Sequence, residues 1–106
     1  MERKEYCLIM IVVNRGFSDV VMEAAKKEGA KGGTIVHARG TGQTETHNFM
    51  GMEIQPEKDL VLILTETENK KAIMKAISEQ AGLNQEGNGI VFALPVEDVI
   101  GAFTNR

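Results

Sequence analysis

Tyr6-Cys7-Leu8-Ile9-Met10-Ile11-Val12-Val13 is a continuous apolar run of strand length, rich in β-branched residues. A run without polar alternation is how a central strand reads when helices cover a face of its sheet. A helix is expected next, from about Asp19 to Glu28. Ser18 can cap it, Val20, Val21, Ala24 and Ala25 supply its apolar stripe, and Gly29 stops it. Gly32-Gly33 then reads as a turn and Thr34-Ile35-Val36-His37-Ala38 as a short second strand.

The same half-unit occurs again downstream. Leu60-Val61-Leu62-Ile63-Leu64 reads as a strand, and Thr65 or Thr67 as the cap of a second helix, Thr65 and Glu68 having capping-box spacing. Ile73, Ala76 and Ile77 face inward in that helix, Met74 borders them, and Gly82 ends it. Gly87-Asn88-Gly89 reads as a turn into a fourth strand, Ile90-Val91-Phe92-Ala93-Leu94. The order β-α-β-β-α-β predicts an α+β, ferredoxin-like sandwich: a four-stranded antiparallel sheet with two helices on one face. The other face must be hidden, and strands this apolar predict that subunit association hides it. The tail, about 96–106, is expected to make a turn of helix around Val96–Ile100.

A chain of 106 residues has room for one domain, here spanning 1–106. Its hydrophobic fraction of 42% and charged fraction of 25% suit a globular protein rather than a disordered one. A net charge of −3 argues against unaided binding to nucleic acid or to anionic membranes. Cys7 is the only cysteine, so no internal disulfide can form, which fits a reducing, cytoplasmic compartment. The apolar run at Cys7–Val13 is too short to span a membrane and lacks the cleavage site of a signal peptide, so no membrane insertion is expected.

Between the two halves lies a long polar stretch, about 39–57, with scattered apolar residues Phe49, Met50, Met52 and Ile54. A loop of such length in a small domain is usually functional. The order of elements, this loop and three local motifs resemble the nitrogen-regulatory P-II signal-transduction family. Lys31-Gly32-Gly33-Thr34-Ile35-Val36 resembles the family's Gly-x-Thr-Val lead into the second strand. Arg39-Gly40-Thr41-Gly42-Gln43 resembles the Lys-Gly-x-Gly-Arg segment that opens its long loop. Gly87-Asn88-Gly89-Ile90-Val91-Phe92, followed by Val96, Val99 and Ile100, resembles its Gly-Asp-Gly-Lys-Ile-Phe-Val turn and the valine pair after it. The chain looks like a divergent member.

The resemblance implies a non-enzymatic homotrimer that binds an adenine nucleotide (ATP, ADP, AMP or a cyclic nucleotide) in clefts between subunits. It also implies a regulated partner, such as a membrane transporter or an enzyme, met through the long loop. At the matched motifs the ligand contacts would be Thr34, Arg39, Gly40, Gly42, Gly87, Asn88 and Gly89, with Lys58 at the loop exit, and the partner contacts in the long loop would be Thr44, Glu45, His47, Phe49 and Met50. The chemistry is coherent with this. Glycines let successive backbone N–H groups approach an anion, Thr34 offers a hydroxyl to a base edge, and Lys58 at the loop exit can meet a phosphate. Exposed Met and Phe in the loop suit an adaptable protein-binding surface.

The departures point to a less charged ligand. Ile90 stands where the family has a lysine, and Gly101-Ala102-Phe103-Thr104 replaces its arginines. Each lost charge-assisted contact removes about 1.5–3 kcal/mol, which disfavours polyphosphates over a nucleoside monophosphate or cyclic nucleotide. The loop is shorter than the family's and lacks its modifiable tyrosine, Tyr6 lying in the first strand.

Two other readings compete. His37 and His47, with Cys7, Glu45 or Glu53, invite a divalent-metal trimer resembling the CutA proteins, although no pair has a recognised ligand spacing. A ligand-free structural subunit is the other. No nucleophile-base signature and no Walker-type phosphate loop occurs, so no enzymatic role is expected.

Overall fold

The strand β1 (Tyr6–Asn14) lies at the centre of the sheet, flanked antiparallel by β5 (Glu57–Glu66) and β6 (Gly89–Val96). The short β2 (Thr34–Arg39) pairs antiparallel with the far side of β5, giving the order β2-β5-β1-β6. The helices α1 (Ser18–Lys27) and α2 (Lys70–Ala81) complete the ferredoxin-like arrangement that the repeated half-unit predicts. This computed structural model describes residues 4–40, 47–49, 52–54 and 56–101.

Strand alternation divides the sheet into two unlike faces. Cys7, Ile9, Ile11 and Val13 of β1 lie opposite Thr65, Ile63, Val61 and Asp59 of β5, and all eight are buried. Val21, Ala24 and Ala25 of α1 and Ile73, Ile77 and Ala81 of α2 close the core from above. The reverse face carries Leu8, Met10 and Val12 beside Leu60, Leu62 and Leu64, with Ile90, Phe92 and Leu94 on the β6 side. Ile90 is 56% exposed and Leu94 45%, so one chain leaves this apolar face uncovered.

Several local expectations are corrected. Ser18 is the first helical residue and not the cap, because Phe17 O already accepts the N–H of Val21 at 3.1 Å. Neither Thr65 nor Thr67 caps α2. The β1 ladder holds Thr65 in β5 opposite Cys7, Thr67 opens a 3-10 turn (Thr67–Asn69), and Asn69 takes the N-cap position without a side-chain cap bond. The polar stretch 39–57 is more than a loop. It contains a hairpin of β3 (His47–Phe49) and β4 (Met52–Ile54), in register His47 with Ile54 and Phe49 with Met52. No helical turn forms over Val96–Ile100. Val96 stays in β6 opposite Tyr6, and residues 97–100 follow without regular structure. Pro95 is tolerated in β6 because that strand lies at the sheet edge, where a missing N–H breaks no ladder.

Candidate functional site

At one end of the sheet the β1–α1 turn, the two ends of the 39–57 segment and the Gly87 turn meet. Asn14 closes β1 opposite Lys58 of β5. Its amide donates from Nδ2 to the Gly87 carbonyl at 3.1 Å, and its Oδ1 accepts from Lys58 Nζ at 2.6 Å. Lys58 is 6% exposed, and a Cβ on Gly40 would lie 3.4 Å from its Cγ. Gly40 N–H donates to Pro56 O at 3.3 Å, and Arg15 N–H donates to Glu57 O at 3.2 Å. Arg15 also pairs through its guanidinium with Glu57 Oε2 at 2.6 Å.

Beneath this junction, on the helix side of the sheet, the carboxylate of Asp59 is 2% exposed. Oδ2 accepts the N–H of Gly16 at 3.2 Å, and Oδ1 lies 2.9 Å from Nδ1 of His37 across the β2–β5 ladder. The His37 hydrogen bond holds the Asp59 carboxyl below its usual range; burial opposes this, and the Gly16 N–H and the Arg15 charge add to it.

Three of the expected ligand residues, Gly40, Lys58 and Gly87, are therefore gathered at one end, with Arg39 beside them opposite Glu57. Asn88 spends its side chain otherwise: Nδ2 donates to Gly82 O at 3.0 Å and so caps the end of α2. Gly89 has a structural reason to be glycine, since its φ is +138° and a Cβ there would collide with Val12 O. Gly87 also has positive φ, +87°, but faces open space. Thr34 stands apart, opposite Leu62 while Lys58 lies opposite Ala38, about 13 Å along the strand. Gly42, Thr44, Glu45 and Met50 lie outside the described residues, and His47 and Phe49 fall in β3.

At the opposite end of the sheet, near Thr34, a cavity of about 260 Å³ is lined by Tyr6, Lys31, Gly32, Leu64, Thr65 and Asn69, among others. For a metal, His37 is engaged with Asp59, and Cys7 lies in the core with its thiol pushed up by burial. No cluster of three or more metal-binding side chains occurs among the described residues. Nor is any helix among them long and apolar enough to cross a membrane.

Sequence reasoning missed Asn14, Arg15 and Asp59. The signal was available in part: Asn14 is the polar residue that ends the apolar column of β1, and Asp59 directly precedes an apolar run.

Known proteins resemble this chain in sequence and in fold. The family pattern described as Nitrogen regulatory protein P-II matches residues 6–106. A nitrogen fixation nifHD1 region GlnB-like protein 1 of Methanosarcina barkeri is 28% identical over 100 residues, which is 93% of this chain and 92% of that protein. A nitrogen regulatory protein P-II of Rhizobium meliloti (strain 1021) is 32% identical over 88 residues, 77% of this chain and 78% of that protein. The crystal structure of Arabidopsis thaliana PII bound to citrate superposes with a TM-score of 0.69 at 23% identity, covering 98% of this chain and 86% of that one. With its sequence and its fold in agreement, the chain belongs to the nitrogen regulatory P-II family of regulatory signalling proteins.

Proposed function

We propose that this protein is a cytoplasmic, non-enzymatic regulator that takes a low-charge adenine nucleotide between the subunits of a homotrimer. It signals occupancy to a partner protein, a transporter or an enzyme, through the segment 39–57. The observation that carries the reading is the convergence of Gly40, Lys58 and Gly87 around Asn14. It sets a buried cation and a positive-φ glycine turn at the root of the segment that would signal. An anion there would meet Lys58 as its charge partner. With Ile90 on the open apolar face, polyphosphates gain less than they would beside a lysine. The citrate on the Arabidopsis protein supports an anionic ligand for this fold.

Two features support assembly. The apolar reverse face, with Phe92 and Leu94 uncovered, is the kind of surface that a second copy hides. About 13 Å of apolar sheet face, with Val36, Leu60 and Leu62, separates Thr34 from Lys58 within one chain, so the proposed site joins the glycine end of one subunit to Thr34 of a neighbour. The cavity beside Gly32 and Leu64 would then form the other half of the cleft.

Calorimetry against ATP, ADP, AMP, cyclic AMP, cyclic di-AMP and citrate, with and without magnesium, tests the reading. Saturable binding is expected to be strongest for a monophosphate or cyclic nucleotide. Lys58→Met should weaken it by at least about tenfold, the loss of one charge-assisted contact. Silence across the panel would discard the nucleotide and leave the trimer as a ligand-free docking subunit.

A further inference from the structure

We propose that Asn14 is a positioning residue that couples the Gly87–Gly89 turn to the root of the 39–57 segment, acting through Lys58. The coupling serves the regulatory reading above, on which its purpose rests, but it exists whether or not a nucleotide is the ligand.

Leu8, Met10 and Val12 precede Asn14 on the same face of β1, so a polar residue ends an otherwise apolar column. Its two contacts have opposite hydrogen-bonding demands. The Gly87 carbonyl can only accept, and the Lys58 ammonium can only donate. A carboxamide meets both at once, and the chemistry of its neighbours fixes which way it points. A carboxylate at this position would keep Lys58 and lose Gly87; an aliphatic side chain would lose both.

Asn14 thereby joins elements far apart in sequence. Gly87 belongs to the α2–β6 turn, Lys58 to the start of β5, and the Lys58 stem lies against Gly40, where the segment departs from β2. The next two residues tie the β1–α1 turn to the same root, Arg15 N–H to Glu57 O and Gly16 N–H to the Asp59 carboxylate. If the Gly87 carbonyl moves, the amide of Asn14 must turn or let go. Lys58 then loses the Asn14 contact to its ammonium, made at 2.6 Å.

The test needs no ligand. Gly87→Ala strains a positive-φ turn without creating a contact, so it perturbs that turn alone. Hydrogen exchange is read at the amides of Gly40 and Lys58 in the wild type and in the Asn14→Asp and Asn14→Leu backgrounds. In the wild-type background Gly87→Ala should speed exchange there by about tenfold, the effect of loosening one hydrogen-bonded link. In either Asn14 background it should add less than about twofold. Asn14→Asp should retain slow exchange at Lys58, and Asn14→Leu should not.

Amides of Ile9, Ile11 and Ile63 serve as the control, since a purely structural role would speed exchange throughout β1 and β5. Such a uniform rise overturns the proposal. So does an equal Gly87→Ala effect in all three backgrounds, or none at Gly40 and Lys58 in the wild type. Nucleotide binding is measured separately, so a failure of the ligand reading leaves this result standing.

Discussion

Asp59 and His37 form a carboxylate–imidazole pair, Oδ1 to Nδ1 at 2.9 Å, in which the carboxylate is buried while the histidine side chain stays 68% exposed. The pair crosses from β5 to the edge strand β2 three residues before Gly40. With the second bond from Gly16, the carboxylate fastens β2 and the β1–α1 turn to one point of the core.

This makes Asp59 a source of acid sensitivity. Its folded carboxyl is held below the ordinary value, chiefly by His37, so the unfolded chain takes up a proton first as pH falls. The stability Asp59 contributes is complete above its unfolded value of about 3.9 and is lost as pH drops through the lower folded value. Asp59→Asn should cost about 1–3 kcal/mol at pH 7, with one donor left poorly satisfied. The difference between variant and wild type should shrink towards pH 3 in urea titrations. A constant difference across that range would show that the Asp59 charge has no part in it.

The two glycines of the turn should respond differently to alanine. At Gly89 a Cβ would strike the Val12 carbonyl of the neighbouring strand, and the backbone cannot yield without breaking the β1–β6 ladder. Gly89→Ala should destabilise by more than about 3 kcal/mol or prevent folding. Gly87→Ala meets open space and should cost only about 1–2 kcal/mol from its positive φ. Equal losses in denaturant titrations would contradict the packing at Gly89.

The uncovered sheet face makes a third prediction. Phe92 and Leu94 project from it at 38% and 45% exposure, and burying each against a neighbour contributes about 1.5–3 kcal/mol. Sedimentation should find a trimer for the wild type. Leu94→Glu, a charge placed on that face, should raise the dissociation constant by at least about tenfold. A wild-type monomer at micromolar concentration would remove the inter-subunit site as well as the trimer.

How far the sequence could be read depended on what each feature needed. The central strands, both helices and Gly82 as the end of α2 were legible because apolar periodicity and a positive-φ glycine are local signals. The caps were not. Thr65 has a capping box by spacing, but the β1 ladder runs on to Tyr6 and keeps Thr65 in the strand. The hairpin within 39–57 was invisible because His47-Asn48-Phe49 and Met52-Glu53-Ile54 are too short to register as periodic. At the candidate site the glycines were found through family motifs and Lys58 through its place at the loop exit, and neither signal carries a record of Asn14 or Asp59. Those two are defined by partners across the sheet, Gly87 and His37, that no local window contains.

The separation of Thr34 from Lys58 permits a direct test of where the ligand lies. In a cyclic trimer each cleft pairs one surface of a subunit with a different surface of the next. Thr34→Val and Lys58→Met should each bind nucleotide at least about fivefold more weakly as pure trimers, through loss of a hydroxyl or a charge. When the two variants are unfolded together and refolded in equal amounts, a cleft regains both residues wherever a Thr34→Val subunit supplies Lys58 and its Lys58→Met neighbour supplies Thr34. Random assembly in a ring gives this arrangement in about one quarter of clefts. Calorimetry of the mixture should therefore recover wild-type affinity at about that fraction of the wild-type stoichiometry. A site contained within one chain cannot be restored by mixing, since every chain carries one defect. Recovery near one quarter places Thr34 and Lys58 on opposite sides of a subunit boundary, and no recovery returns the ligand to a single subunit.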